Sequence, residues 1–192
     1  MNYGELKKHI KALAFEDEET ITEYEENDVI PTAINRAIAM IGRTIPILNT
    51  YEFSQDGEDA EFQTYDFSKL VKDFLSFDKH PMQIDDGEKC EPFGNYIEWN
   101  YHTIKVPGNV KGTFVVQYRA KPVRYQPGMD DVEIPLEPIT HEDLLPMLCA
   151  YFVWLDDDAT KAAQYFNSYE TELRDVVSVL KRPRVRFLEG GV

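Results

Sequence analysis

Three arginines alternate with apolar residues near the far end of the sequence. Arg182, Arg184 and Arg186 stand between Pro183, Val185 and Phe187. In an extended segment this spacing places the guanidiniums on one side and the apolar groups on the other. Such an arm suits an acidic groove, or addition to the sheet edge of a neighbouring chain. Arg182, Arg184, Arg186 and Phe187 are therefore the candidate partner-binding residues. A second group, Tyr96, Trp99 and Tyr101, clusters around an expected hairpin. Aromatic rings on a β surface can stack on sugars, and the same rings serve cross-strand packing.

Other reactive residues do not assemble into a known chemistry. His9, His80, His102 and His141 are scattered, without the close pairing of a metal site. Cys90 and Cys149 lack CxxC spacing, and are expected as reduced, buried thiols. Asp156-Asp157-Asp158 lacks the alternate oxygens, central Gly and closing Glu of a calcium loop. It reads as a cap between helices. The ten glycines form neither GxGxxG nor GxxxxGK[ST], and GxSxG does not occur. With 35 acidic residues, paired carboxylates arise by chance. A hydrolase with two converging carboxylates is the remaining enzyme reading, and nothing in the sequence selects the pair. The expectation is a protein without catalytic residues, cofactor or metal.

Elements that position these residues follow from periodicity. Leu6, Ile10, Leu13 and Ala14 recur at helical spacing and predict a helix over 3–14. Phe15 to Asp28 is acidic, with no basic residue, and reads as a solvated loop. Asp28 then caps a helix whose face is Ile30, Ile34, Ala37, Ile38 and Ile41, ending by about Leu48. From Tyr51 to Ala120 the period changes to two. Candidate strands are Phe62–Phe67, Phe74–Phe77, Met82–Ile84, Tyr96–Trp99, Ile104–Val106 and Phe114–Tyr118. A Pro-rich extended link covers 121–139. Thr140 caps a helix lined by Leu144, Leu148, Phe152 and Leu155, with Cys149 and Tyr151 widening its apolar face. The last helix carries Ala162, Phe166, Tyr169, Leu173, Val176 and Leu180 as one stripe.

The expected fold is α+β. Helices from 1–48 and 140–181 form a bundle, an antiparallel β subdomain at 50–120 is inserted between them, and 182–192 is a basic arm. At 192 residues and 43% hydrophobic, the chain can build a real core. The net charge of −15 disfavours tight wrapping of nucleic acid. No apolar run suits a signal peptide or membrane span, so synthesis in the cytoplasm and no membrane partner are expected.

One succession stands out: Val115-Val-Gln-Tyr-Arg-Ala-Lys-Pro122, Ile134-Pro-Leu136, Leu144-Leu-Pro-Met-Leu-Cys-Ala-Tyr151, Asp156-Asp-Asp-Ala-Thr-Lys-Ala-Ala163, then Tyr165 to Tyr169. It resembles the head–tail connector, or adaptor, proteins of tailed bacteriophages, particularly the larger type found in tail tubular adaptors. The pattern covers about residues 113 to 177. The resemblance implies a structural virion protein made in the bacterial cytoplasm. It implies a closed ring of about twelve copies beneath the portal. The portal and tail or neck proteins would be its partners, and DNA would pass through without specific binding. Phe15–Asp28 and the long β insertion do not map onto the family pattern. The rival reading is a carbohydrate-binding or adhesion module with Tyr96, Trp99 and Tyr101 as its platform.

Overall fold

The structure, a computed structural model, describes residues 1–15, 28–59, 61–85 and 89–180, without the side chains of His80 and Pro81. It is mixed α+β with antiparallel sheets. The chain divides into two compact units, Met1–Ile45 with Arg124–Val192, and Pro46–Val123.

The first unit begins with α1, Tyr3–Ala14. Asn2 and Glu5 form a reciprocal capping box: each side chain accepts the other's backbone N–H, at 2.8 and 2.9 Å. Leu6, Ile10 and Ala14 are buried as the period requires, whereas Leu13 is exposed. α2, Val29–Thr44, buries Ile30, Ala33, Ile34, Ala37, Ile38 and Ile41. Each fully buried isoleucine contributes about 1.5–3 kcal/mol relative to exposure. The helix stops at Thr44 rather than near Leu48, because Pro46 disfavours helical backbone at Ile45, which is extended. Asp28 stands at the N-cap in left-handed backbone, φ 54°, and its side chain makes no capping bond.

Pro138–Thr140 form a 3₁₀ turn. Here Thr140 corrects the expected cap: its hydroxyl donates back to the Glu137 carbonyl at 2.7 Å instead of accepting a helix N–H. α3, Phe67–Leu70, is a helical turn of the second unit. α4, Leu144–Trp154, therefore starts four residues after Thr140, and Asp143 at its N-cap makes no side-chain bond. Its sequence is apolar all round, so it must be covered on several sides. It packs against α1, α2 and α5, the last being Ala159–Leu180. Asp158 Oδ1 accepts from the Thr160 and Lys161 N–H groups at 2.9 Å each, so the aspartate break does cap α5. Along α5, Ala162, Tyr169 and Val176 are buried, Phe166 and Leu173 half-buried, and Leu180 exposed.

The link after Arg124 is not a free extended spacer. Asn35 of α2 donates to the Tyr125 carbonyl at 2.9 Å and accepts the Tyr125 N–H at 2.8 Å. The Tyr125 ring stacks on Tyr3 with centroids 5.1 Å apart, and its hydroxyl donates to the Glu133 carbonyl at 2.6 Å. Burial and then Glu133 push that hydroxyl's pKa to about 12, which keeps it a donor.

The second unit holds two antiparallel sheets. One has the order β1-β7-β3-β4, with β1 Leu48–Gln55, β3 Phe74–Asp85, β4 Cys90–Pro92 and β7 Gly112–Ala120. The other has the order β2-β6-β5, with β2 Phe62–Asp66, β5 Ile97–Asn100 and β6 Thr103–Pro107. The helical turn α3, Phe67–Leu70, follows β2 at once, so Phe67 is not strand as expected. The two strands expected at Phe74–Phe77 and Met82–Ile84 are one strand, β3, whose register shifts between Phe77 and Met82. Pro81 lies in that shift and has no N–H for the ladder. Phe114 is fully buried and stacks on Phe53 at 5.1 Å, while Phe67, Phe74 and Phe77 pack in mutual contact.

Candidate functional site

Lys181 to Val192 lie outside the described residues, so Arg182, Arg184, Arg186 and Phe187 carry no structural description. Most of the acidic segment Phe15–Asp28 also lies outside them.

The aromatic residues Tyr96, Trp99 and Tyr101 are near in sequence but differ in surroundings. Tyr96 lines an open pocket of about 440 Å³ with Met82, Phe93 and Glu98. Burial and then the Glu98 charge raise its pKa, so the phenol stays protonated. Trp99 falls where the β5–β6 register shifts between Glu98 and Asn100, and is 65% exposed. The Lys105 ammonium sits 3.7 Å from the centre of the indole. A sugar would have to use the opposite ring face or displace the lysine. Tyr101 is 76% exposed and meets His102 edge-on at 4.6 Å. Among the described residues no ring contact joins the three.

A polar cluster that sequence spacing does not reveal surrounds Asp66. Its Oδ1 accepts from the Ser68 hydroxyl at 2.6 Å, the Ser68 N–H at 3.2 Å and His102 Nδ1 at 2.9 Å. Lys69 Nζ lies 3.2 Å from Oδ2. The hydrogen bond from Ser68 leads the effects that hold the carboxyl near a pKa of about 2, with Lys69 and His102 adding to it. An aspartate on histidine Nδ1 suggests a catalytic triad, but a triad needs its hydroxyl on the other ring nitrogen. Here Thr103 Oγ1 lies 3.0 Å from the same Nδ1. The cluster instead ties two turns together. Phe67 N–H donates to the His102 carbonyl at 2.8 Å, and His102 N–H donates to Asn100 Oδ1 at 3.0 Å. Asp-Phe-Ser and Asn-Tyr-His, with the acceptor two residues before the donor, were the local signals available.

The cysteines separate. Cys149 is fully buried in α4, and that burial drives its thiol pKa up. Cys90 is exposed, contrary to expectation, because β4 is a three-residue edge strand exposed throughout. His141 is half-buried with Nε2 lacking a hydrogen-bond partner. Burial first, and then the N-terminal ammonium, lower its pKa. Among the described residues no group of three or more His, Cys, Asp or Glu is placed to hold a metal ion. No described helix is long and apolar enough to cross a membrane.

A pocket of about 280 Å³ in the first unit joins Asp28 and Val29 of the α2 start to Phe152, Asp156 and Asp157. Asp28, Asp156 and Asp157 are exposed there. Apolar wall and carboxylate rim are the chemistry that suits a basic, partly apolar peptide.

No protein-family model matches the chain, and no curated protein matches it.

Proposed function

We propose that this chain is a structural subunit of a tailed-phage virion, a connector that forms a ring and joins the portal to the tail. The observation that supports the reading is the order of parts at 112–180. Strand β7 leads through a proline-containing link to the apolar helix α4, then an aspartate-capped turn and the long α5. The resemblance to connector proteins rests on that same succession. In this reading α1, α2, α4 and α5 make the helical bundle, and Pro46–Val123 is the inserted β subdomain. A ring subunit works through broad contacts rather than reacting groups. A net acidic ring also suits a DNA channel, because like charge lets the duplex slide instead of bind. The arm at 182–192 would reach a neighbouring protein and make assembly multivalent.

Coexpression with the portal protein of its own genome tests this. Electron microscopy should show a ring of this chain on the portal, and absence of any complex with portal or neck proteins would refute it. A second reading, carbohydrate binding, is favoured by the exposure of Trp99 and Tyr101. It requires binding on a glycan array that Trp99→Ala abolishes.

A further inference from the structure

Glu98 lies on the face of β5 where an unpaired charge is least expected. In the β5–β6 register it stands opposite Ile104, which is fully buried. Paired residues of neighbouring strands share one face of a sheet. On the other side of Ile104 is Tyr65 of β2, whose ring stacks on Phe53 of the first sheet at 3.9 Å. Glu98 therefore belongs to the face that looks toward the first sheet. Lys105, opposite Ile97, belongs to the outer face. An unpaired buried carboxylate is costly. Among the described residues Glu98 has no hydrogen bond or ion pair, and it stays exposed.

It stays exposed because the sheets part at this point. The β1–β2 side is closed by the Phe53–Tyr65 stack. The β3–β5 side opens into the pocket of about 440 Å³, lined by Met82, Pro92, Phe93, Gly94, Tyr96 and Glu98. That volume is in the range of small-molecule sites. The β5–β6 register shifts just after Glu98, the kind of irregularity that re-aims side chains beside binding sites. Phe93 and Tyr96 are half-buried and Met82 is buried, so the wall is apolar and aromatic. Phe114 meets the Phe93 ring edge-on at 5.1 Å. The Tyr96 hydroxyl has no partner among the described residues, and it remains neutral.

These groups select a ligand class. A carboxylate repels anions and attracts cations, and aromatic faces attract cations as well. Metal binding would need more oxygen, nitrogen or sulfur donors than the one carboxylate supplies. We propose that this pocket binds an alkylammonium group, with its charge at Glu98 and its alkyl substituents against Phe93, Tyr96 and Met82. The site is independent of the connector reading.

The test is calorimetric titration of the full chain with choline, with Nα-acetyl-lysine methylamide, and with 3,3-dimethylbutan-1-ol, the neutral isostere of choline. At least one of the two cations should bind saturably, and the neutral alcohol roughly tenfold more weakly than choline or not at all. Tighter binding of the lysine derivative assigns the site to a protein side chain, and tighter binding of choline to a free quaternary ammonium compound. Glu98→Gln should weaken binding severalfold. Gly94→Leu should abolish it by filling the pocket, since a Cβ on Gly94 meets nothing within 4 Å and the fold has room for it. Glu52→Gln removes a carboxylate from β1, outside the pocket, and should change nothing. It separates the site from general attraction to an acidic chain. Binding of neither cation, equal binding of the neutral alcohol and choline, or binding that survives both Glu98→Gln and Gly94→Leu would overturn the proposal.

Discussion

Asp66 accepts from Ser68, His102 and Lys69, and its carboxyl stays ionised down to a pKa of about 2. The unfolded chain takes up a proton near 3.8, so folding loses this contribution as pH falls from about 4 through 2. The parent should show a steeper fall in melting temperature over that window than Asp66→Asn, measured by circular dichroism; parallel curves would contradict the assignment. Protonation of His141 acts in the same direction at higher pH. Its lowered pKa means that stability declines as pH drops below the ordinary histidine value. Trp154 and Tyr165 matter for a different reason. Carbonyls in the last turn of a helix lack internal partners. In α1 those of Leu13 and Ala14 accept from Tyr165 Oη at 2.7 Å and Trp154 Nε1 at 3.1 Å. Trp154→Phe should cost about 1 kcal/mol in denaturant unfolding, the worth of one such bond. Little of this was legible from spacing, since these pairs join residues far apart in sequence.

Helices were more readable than strands, and the reason is physical. The apolar faces of α1 and α2 follow a 3.6-residue period, and the residues it names are buried except Leu13. β1 is marked only in part. Tyr51, Phe53 and Gln55 turn inward between exposed Glu52 and Ser54, but Leu48–Thr50 are exposed in a row, so nothing in the pattern marks where the strand begins. The extent of β3 was hidden because its register shifts around a proline. One turn position has a direct test. Gly108 N–H donates to the Glu61 carbonyl at 2.9 Å, and a Cβ on Gly108 would lie 2.5 Å from that oxygen. The oxygen belongs to backbone, so it cannot swing aside. Gly108→Ala should destabilise the chain by about 1–3 kcal/mol, the range for an overpacked site. An unchanged unfolding midpoint would mean that the turn does not hold this close approach.

Across the whole molecule, the alternation of arginine and apolar residues at 182–187 reads as a binding arm, and those residues lie outside the described ones. Asp28 and Asp156 are 128 positions apart in the sequence, and only the packing of α2 with α4 brings them to one pocket. The connector account stands on assembly, and assembly is directly visible. The decisive measurement is electron microscopy of this chain coexpressed with the portal of its own genome. A ring of this chain seated on the portal is the predicted result; portal particles bare of it, with the chain folded and free in the same lysate, would contradict the account.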